Sequence, residues 1–163
     1  MQQKIRPNLW FDTEAEEAAE FYISVFENSR IVTVAHYTEA GPRPAGTVMT
    51  VEFELDGQRF VGINGGPQFT FDEAVSFQIE CADQDEIDRY WDTLTEGGEE
   101  VQCGWCKDRY GLSWQVVPTG MEELFADPDQ TRAERAMQAM FGMRKLDIEA
   151  LQAAADGVPS QAS

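Results

Sequence analysis

The sequence predicts an α+β fold made of two successive β-α-β-β-β modules and a carboxy-terminal helical extension. A strand running into an amphipathic helix occurs from Ile5 through Asp12 to a stretch centred on Phe21 and Tyr22. The same pattern returns about seventy residues later, from Ala74 through Asp83 to a stretch centred on Tyr90 and Trp91, and both helices are expected to place their aromatic pair on the buried face. Strand-like runs follow each helix, and beyond Pro118 the pattern becomes purely helical. Two copies are too few for a stacked array, which takes three or more units to bury a continuous core. Two modules closing around one shared cleft are therefore expected, over 4–66 and 74–118 within a domain spanning 1–118. A helical extension at 119–157 and a frayed tail at 158–163 complete the expected organisation.

Each element has a local cause. Residues 5–11 read as a strand, and Thr13 with Glu16 forms the Ser/Thr-x-x-Glu box that satisfies free amides at a helix start. In the helix, Ala15, Ala18, Ala19, Tyr22, Val25 and Phe26 keep helical spacing while glutamates take the other positions. Ile31 to Tyr37 is a β-branched run, and the Pro42 and Pro44 loop after it excludes helix or central strand. From Thr47 to Leu55 the residues alternate as in a half-buried strand; Asp56-Gly57 is a hairpin turn, and Arg59 to Asn64 returns.

In the second module Val75 to Cys81 is a strand, and Asp83 caps a helix with Glu86 three residues on. Ile87, Tyr90, Trp91 and Leu94 form its apolar stripe, and Gly97-Gly98 ends it. Two or three short strands follow, from Glu99 to Trp105 and from Leu112 to Val117, with Lys107 to Gly111 as the turn between them. The extension reads as Met121 to Phe125, a helix capped by Asp127 with Pro128 in its first turn, and a helix from Asp147 to Ala155 stopped by Gly157.

Composition narrows the function. Hydrophobic residues make up 42% of the chain and aromatics 11%, enough for a packed core. A formal net charge of −18 repels phosphate backbones and anionic lipid, so neither nucleic acid nor a membrane is an expected partner. No apolar run reaches membrane-spanning length and the start lacks a secretory apolar core, which together predict a cytoplasmic protein. Cys81, Cys103 and Cys106 are too few and too odd in number for a disulfide framework, so reduced thiols are expected.

Few residues suggest chemistry. Cys103-Gly104-Trp105-Cys106 is a C-x-x-C, but it leads into a turn between strands, where no helix amino terminus lowers a thiol pKa, and no second C-x-x-C completes a zinc site. The other reading is two small side chains at a strand end, one facing inward. His36, the single histidine, is either a general base or a sheet residue. The pairs Glu52/Glu54 and Glu99/Glu100 suggest solvated strand faces more than acid-base work. Neither strand-helix junction carries the glycine-rich turn of a nucleotide cofactor site. There remains an aromatic and amide set near strand ends, Trp10, Asn64, Trp105, Trp114 and Gln115, which suits a small neutral or aromatic ligand, against plain core packing of the tryptophans.

An ordered series of short motifs carries a family resemblance. It comprises Asn8 to Asp12, Glu16-Glu17-Ala18, Phe21-Tyr22, Val48 to Val51, Leu55-Asp56-Gly57, Asn64 to Pro67, Cys103-Gly104-Trp105, Tyr110 to Gln115 and Val117-Pro118, with Met143 to Leu151 beyond. Together these resemble the PhnB-like branch of the vicinal oxygen chelate superfamily, a branch that bears the label 3-demethylubiquinone-9 3-methyltransferase. The resemblance implies paired βαβββ modules of the glyoxalase-like fold and a homodimer. Metal-dependent relatives use His and Glu on inward strand positions, where this chain offers Pro7 or Asn8, Asn64, Ala74 or Ser76, and Gln115. One histidine cannot supply two, so neither a metal nor another cofactor is expected.

The resulting expectation is a metal-free protein binding a small hydrophobic or aromatic molecule in the cleft between modules, through Trp10, Asn64, Cys103, Trp105, Gln115 and His36. The alternative is an enzyme acting on a quinone-like or aldehyde-derived substrate with His36 or Cys103 as reactive group. If His36 faces bulk solvent, that alternative loses its base. A third reading is an interaction module whose helical tail packs across a partner subunit.

Overall fold

The structure, a computed structural model, describes residues 4–158. The chain divides after Phe71 into two compact units, each with one four-stranded sheet. The tail expected to fray lies outside the described residues from position 159 onward.

The first unit contains β1 (Asn8–Phe11), α1 (Ala15–Val25), β2 (Arg30–His36), β3 (Val48–Leu55) and β4 (Gln58–Asn64) in the sheet order β1-β4-β3-β2. β1 lies parallel to β4, and the other pairs are antiparallel. Alternation in β3 buries Val51, Phe53 and Leu55 on the helix side. Tyr22 of α1 stacks on Phe53, which stacks on Phe60, with centroids 6.2 and 5.5 Å apart. Asp56 and Gly57 both take positive φ, at 44° and 78°, as the two-residue turn requires.

Two expectations need correction here. Of each predicted aromatic pair only one member is fully buried, Tyr22 and Trp91; Phe21 and Tyr90 sit half-buried, because adjacent helical positions lie 100° apart. The Thr13/Glu16 box does not form either. Thr13 and Glu16 are exposed, and the free amide of Ala15 instead donates to Asn64 Oδ1 at 2.8 Å, reaching 49 residues along the chain.

The second unit contains β5 (Ser76–Cys81), α2 (Gln84–Thr95), β6 (Glu99–Glu100), β7 (Trp105–Lys107) and β8 (Ser113–Pro118), in the order β5-β8-β7-β6. α2 packs on its sheet, burying Ile87, Trp91 and Leu94, while Ile79, Cys81, Cys106, Trp114 and Val116 are buried in the strands. Asp83 caps α2 through Glu86 N at 3.0 Å, and Glu86 reaches back to Ala82 N at 2.7 Å.

Of the two or three short strands expected here there are three, because the stretch from Glu99 to Trp105 is broken by a turn. Cys103 and Gly104 turn the chain with φ of 60° and 82°, closed by Trp105 N donating to Gln102 O at 3.0 Å. The next turn is organised by buried Asp108, which accepts from the Tyr110 and Leu112 amides at 2.8 and 3.1 Å and from Trp114 Nε1 at 2.8 Å.

Three helices follow, α3 (Met121–Phe125), α4 (Gln130–Phe141) and α5 (Ile148–Asp156). α4 is capped by Asp129, two residues after the expected Asp127, whose carboxylate instead accepts from Asp129 N at 2.8 Å. The preceding Pro128 stays outside the helix. Asp147 caps α5 through Ala150 N and Gly157 ends it at φ 72°, as expected.

The helices pack on their own unit: Met121, Leu124, Ala139, Met140 and Met143 cover Val117, Leu146 and Leu151. The segment between α4 and α5 is tied to the sheet hairpin, with Cys103 N donating to Met143 O at 2.9 Å and Gly104 N to Arg144 O at 2.8 Å. Gln84 clamps the same segment, donating to Leu146 O and accepting from Ile148 N, both at 3.0 Å. Among the described residues no helix is long and apolar enough to cross a membrane.

Candidate ligand-binding site

Strand alternation sends one set of side chains in the second unit away from α2. Gln78 and Glu80 of β5, Trp105 of β7, and Gln115 and Val117 of β8 form a strand wall, extended by Cys103 of the hairpin. The first two helices of the extension supply the facing wall with Met121, Phe125, Met140 and Phe141. The cavity between them has a volume of about 640 Å³, within the range of small-molecule sites.

Gln115 is central and held in place. Its Nε2 donates to Ser76 Oγ at 2.9 Å, and Gln78 and Trp105 are its register neighbours on either side. Fixing the amide nitrogen orients the carbonyl oxygen, an acceptor for a ligand N–H or O–H. The two cysteines of the C-x-x-C are separated by function of their faces: Cys103 lines the cavity, half-buried, whereas Cys106 is buried on the other side of the sheet. Burial pushes the Cys106 thiol up to about 12, and Cys81 likewise, the reverse of what a reactive thiolate needs. All three thiols are free.

Of the six predicted ligand residues, Cys103, Trp105 and Gln115 thus meet at one cavity. Trp10, Asn64 and His36 belong to the first unit. Trp10 Nε1 donates to Gly66 O at 2.8 Å, and its ring lies where a Cβ on Gly65 would sit, 2.1 Å from the ring. Asn64 is 4% exposed, its Oδ1 holding Ala15 N and its Nδ2 donating to Val48 O at 3.1 Å. His36 ends β2 on an exposed face.

Glu52 and Glu54, expected to be solvated, are ion-paired on their strand face. Glu52 meets Arg59 at 2.7 Å and Arg6 at 3.3 Å, and Glu54 meets Arg30 at 2.8 Å. Glu100 likewise pairs with Arg144 at 3.6 Å. The helical wall of the cavity escaped the sequence reading, because nothing local tells a helix after Pro118 which sheet face it returns to. Gln78 was legible in principle, two residues from Glu80 on the same strand face and on the opposite parity to buried Ile79.

Over residues 3–117 the chain matches the family described as 3-demethylubiquinone-9 3-methyltransferase. The chain belongs to this family. A solved member, the putative 3-demethylubiquinone-9 3-methyltransferase or PhnB protein of Bacillus cereus, is 37% identical at a TM-score of 0.66, covering 72% of this chain and 100% of that one. A protein from Pseudomonas aeruginosa shares the fold at 19% identity and a TM-score of 0.59, over 72% of this chain and 98% of that one. The fosfomycin resistance protein FosX of Mesorhizobium loti does so at 11% and 0.51, over 71% and 90%. No curated protein matches the chain. The fold of this 3-demethylubiquinone-9 3-methyltransferase family member is therefore that of the vicinal oxygen chelate proteins, with carboxy-terminal helices added.

Divalent metal is a property of part of that superfamily, and the donors present here do not fit it. The strand positions that the resemblance points to carry Pro7 or Asn8, Asn64, Ala74 or Ser76, and Gln115, and the amides and hydroxyl among them are hydrogen-bonded within the fold. Neutral amides and a hydroxyl are weak ligands beside imidazole and carboxylate. Among the described residues no three His, Cys, Asp or Glu side chains gather in a metal-binding arrangement.

Proposed function

We propose that this family member binds a small hydrophobic or aromatic molecule in the cavity of the second unit, without a metal. The observation that carries the reading is the meeting of Trp105, Cys103 and the oriented Gln115 amide with Met121, Phe125 and Met140 around about 640 Å³. Rings and apolar side chains beside placed polar groups are the usual chemistry of such sites. The homodimer implied by the resemblance stands with this proposal. The enzymatic alternative would rest on Cys103 at this cavity, because His36 is exposed at the end of β2 and outside the cavity lining.

Native mass spectrometry of the purified protein tests the proposal, because it reports retained small molecule, bound metal and subunit count together. Titration with 1-naphthol as probe, followed by calorimetry, tests the site itself. Trp105→Ala and Gln115→Leu should each weaken the probe at least about fivefold, the loss of one buried ring contact or hydrogen bond. Stoichiometric zinc or nickel on the purified protein, or probe binding indifferent to both substitutions, would overturn the reading.

A further inference from the structure

We propose that the cavity selects for positive charge, so that its ligand is an aromatic amine or a comparable ring-bearing cation. This rests on the reading that the cavity binds a small apolar molecule, and adds the charge. Three carboxylates line the walls, Glu80 on β5 and Glu122 and Glu123 on α3, and no lysine, arginine or histidine does. None of the three forms an ion pair among the described residues, so their charge is not neutralised by a neighbouring side chain. In a chain with 12 cationic and 30 anionic side chains, cations are scarce; among the described residues none lines the cavity.

The remaining lining agrees with that sign. Trp105, Phe125 and Phe141 present rings, whose faces attract cations and repel anions. Gln115 offers a carbonyl oxygen that would accept an ammonium proton as readily as a hydroxyl. An anionic ligand would meet three like charges and no counter-charge, a repulsive arrangement that rejects it even where its ring fits. A neutral ring would enter and forgo the ion pair.

Three probes sharing one ring system separate these cases: 1-naphthylmethylamine, 1-naphthalenemethanol and 1-naphthoate, titrated calorimetrically against the full chain. The amine should bind about tenfold more tightly than the alcohol, a modest charge-assisted contact to exposed carboxylates, and the naphthoate most weakly. Raising the salt should shrink the amine's advantage and leave the alcohol unchanged. In a Glu80→Gln, Glu122→Gln, Glu123→Gln variant the amine should fall to the alcohol's affinity; these side chains are exposed and unpaired, and the three single variants give the same trend in steps should the triple variant fold poorly.

If the alcohol or naphthoate binds as tightly as the amine, at a site still weakened by Trp105→Ala, the charge preference is wrong while the cavity reading stands. An amine preference that survives the triple variant assigns the attraction to the acidic surface at large and equally overturns the proposal. No binding by any of the three probes removes both the preference and the site.

Discussion

Asn64→Ala should be among the more damaging single substitutions in the first unit, although nothing in its sequence context marks it. The side chain closes α1 from the far end of β4, accepting from Ala15 N at 2.8 Å and donating to Val48 O at 3.1 Å. Ala15 is fully buried, so water cannot take over as the partner of its amide. Leaving that donor unsatisfied costs about 1–3 kcal/mol, and losing the second hydrogen bond adds about 1 kcal/mol. The expected loss is about 2–4 kcal/mol, or roughly 5–15 °C in Tm for a chain of this size. Thr13→Ala and Glu16→Ala should each cost less than about 0.5 kcal/mol, since both side chains are exposed and make no cap. Urea unfolding followed by far-ultraviolet circular dichroism measures all three. A Thr13→Ala loss above about 1 kcal/mol together with a smaller Asn64→Ala loss would return the helix start to the local box and refute the argument.

Other outcomes follow from the second unit. Asp108→Asn places an amide donor opposite Trp114 Nε1 or the turn amides that the carboxylate now accepts; about 2–3 kcal/mol of destabilisation is expected by chemical denaturation. Gly104→Ala, at φ 82° with its new Cβ 2.8 Å from Val116 O and 3.0 Å from Leu146 Cδ1, should cost at least about 2 kcal/mol, and amide exchange at Cys103 and Gly104 should quicken as their bonds to Met143 and Arg144 loosen. Iodoacetamide should label Cys103 in the native protein and all three cysteines after denaturation, as peptide mass mapping would show; native labelling of Cys106 would contradict its burial. The folded chain keeps thiol protons on Cys81 and Cys106 that the unfolded chain releases near pH 9. Stability present below that pH should therefore be lost as pH climbs towards 12, by up to about 1.4 kcal/mol per pH unit for each thiol.

Much of the architecture could be read from periodicity. The alternation over 47–55, the Asp56-Gly57 turn and the stripe Ile87, Trp91, Leu94 each encode their structure locally, and the structure has them where the pattern puts them. The misreadings have one physical origin, which is that the deciding partner is distant or the backbone choice unusual. Asn64 outcompetes Thr13 for the start of α1 because the fold carries it there, and no residue near Thr13 signals this. The Cys103-Gly104 turn was missed because cysteine is a rare occupant of a positive-φ position, so Cys-Gly did not register as Asn-Gly would. Half of the candidate site was legible, since Trp105 opens β7 and Gln115 lies within β8, both with polar or aromatic character. The other half comes from helices whose return to the sheet depends on Gln84 and the hairpin amides, contacts spanning some sixty and forty residues.

The two walls of the cavity have separate provenance. The strands belong to the stretch that the family pattern spans, up to residue 117, whereas Thr119 and everything after it lie past that stretch. A lineage that kept the sheets and exchanged the appendix would conserve the scaffold while rewriting half of what a guest molecule touches. Preference among such cousins should then track the sequence beyond position 117, and kinship measured over the sheets alone would be a poor guide to what each one holds.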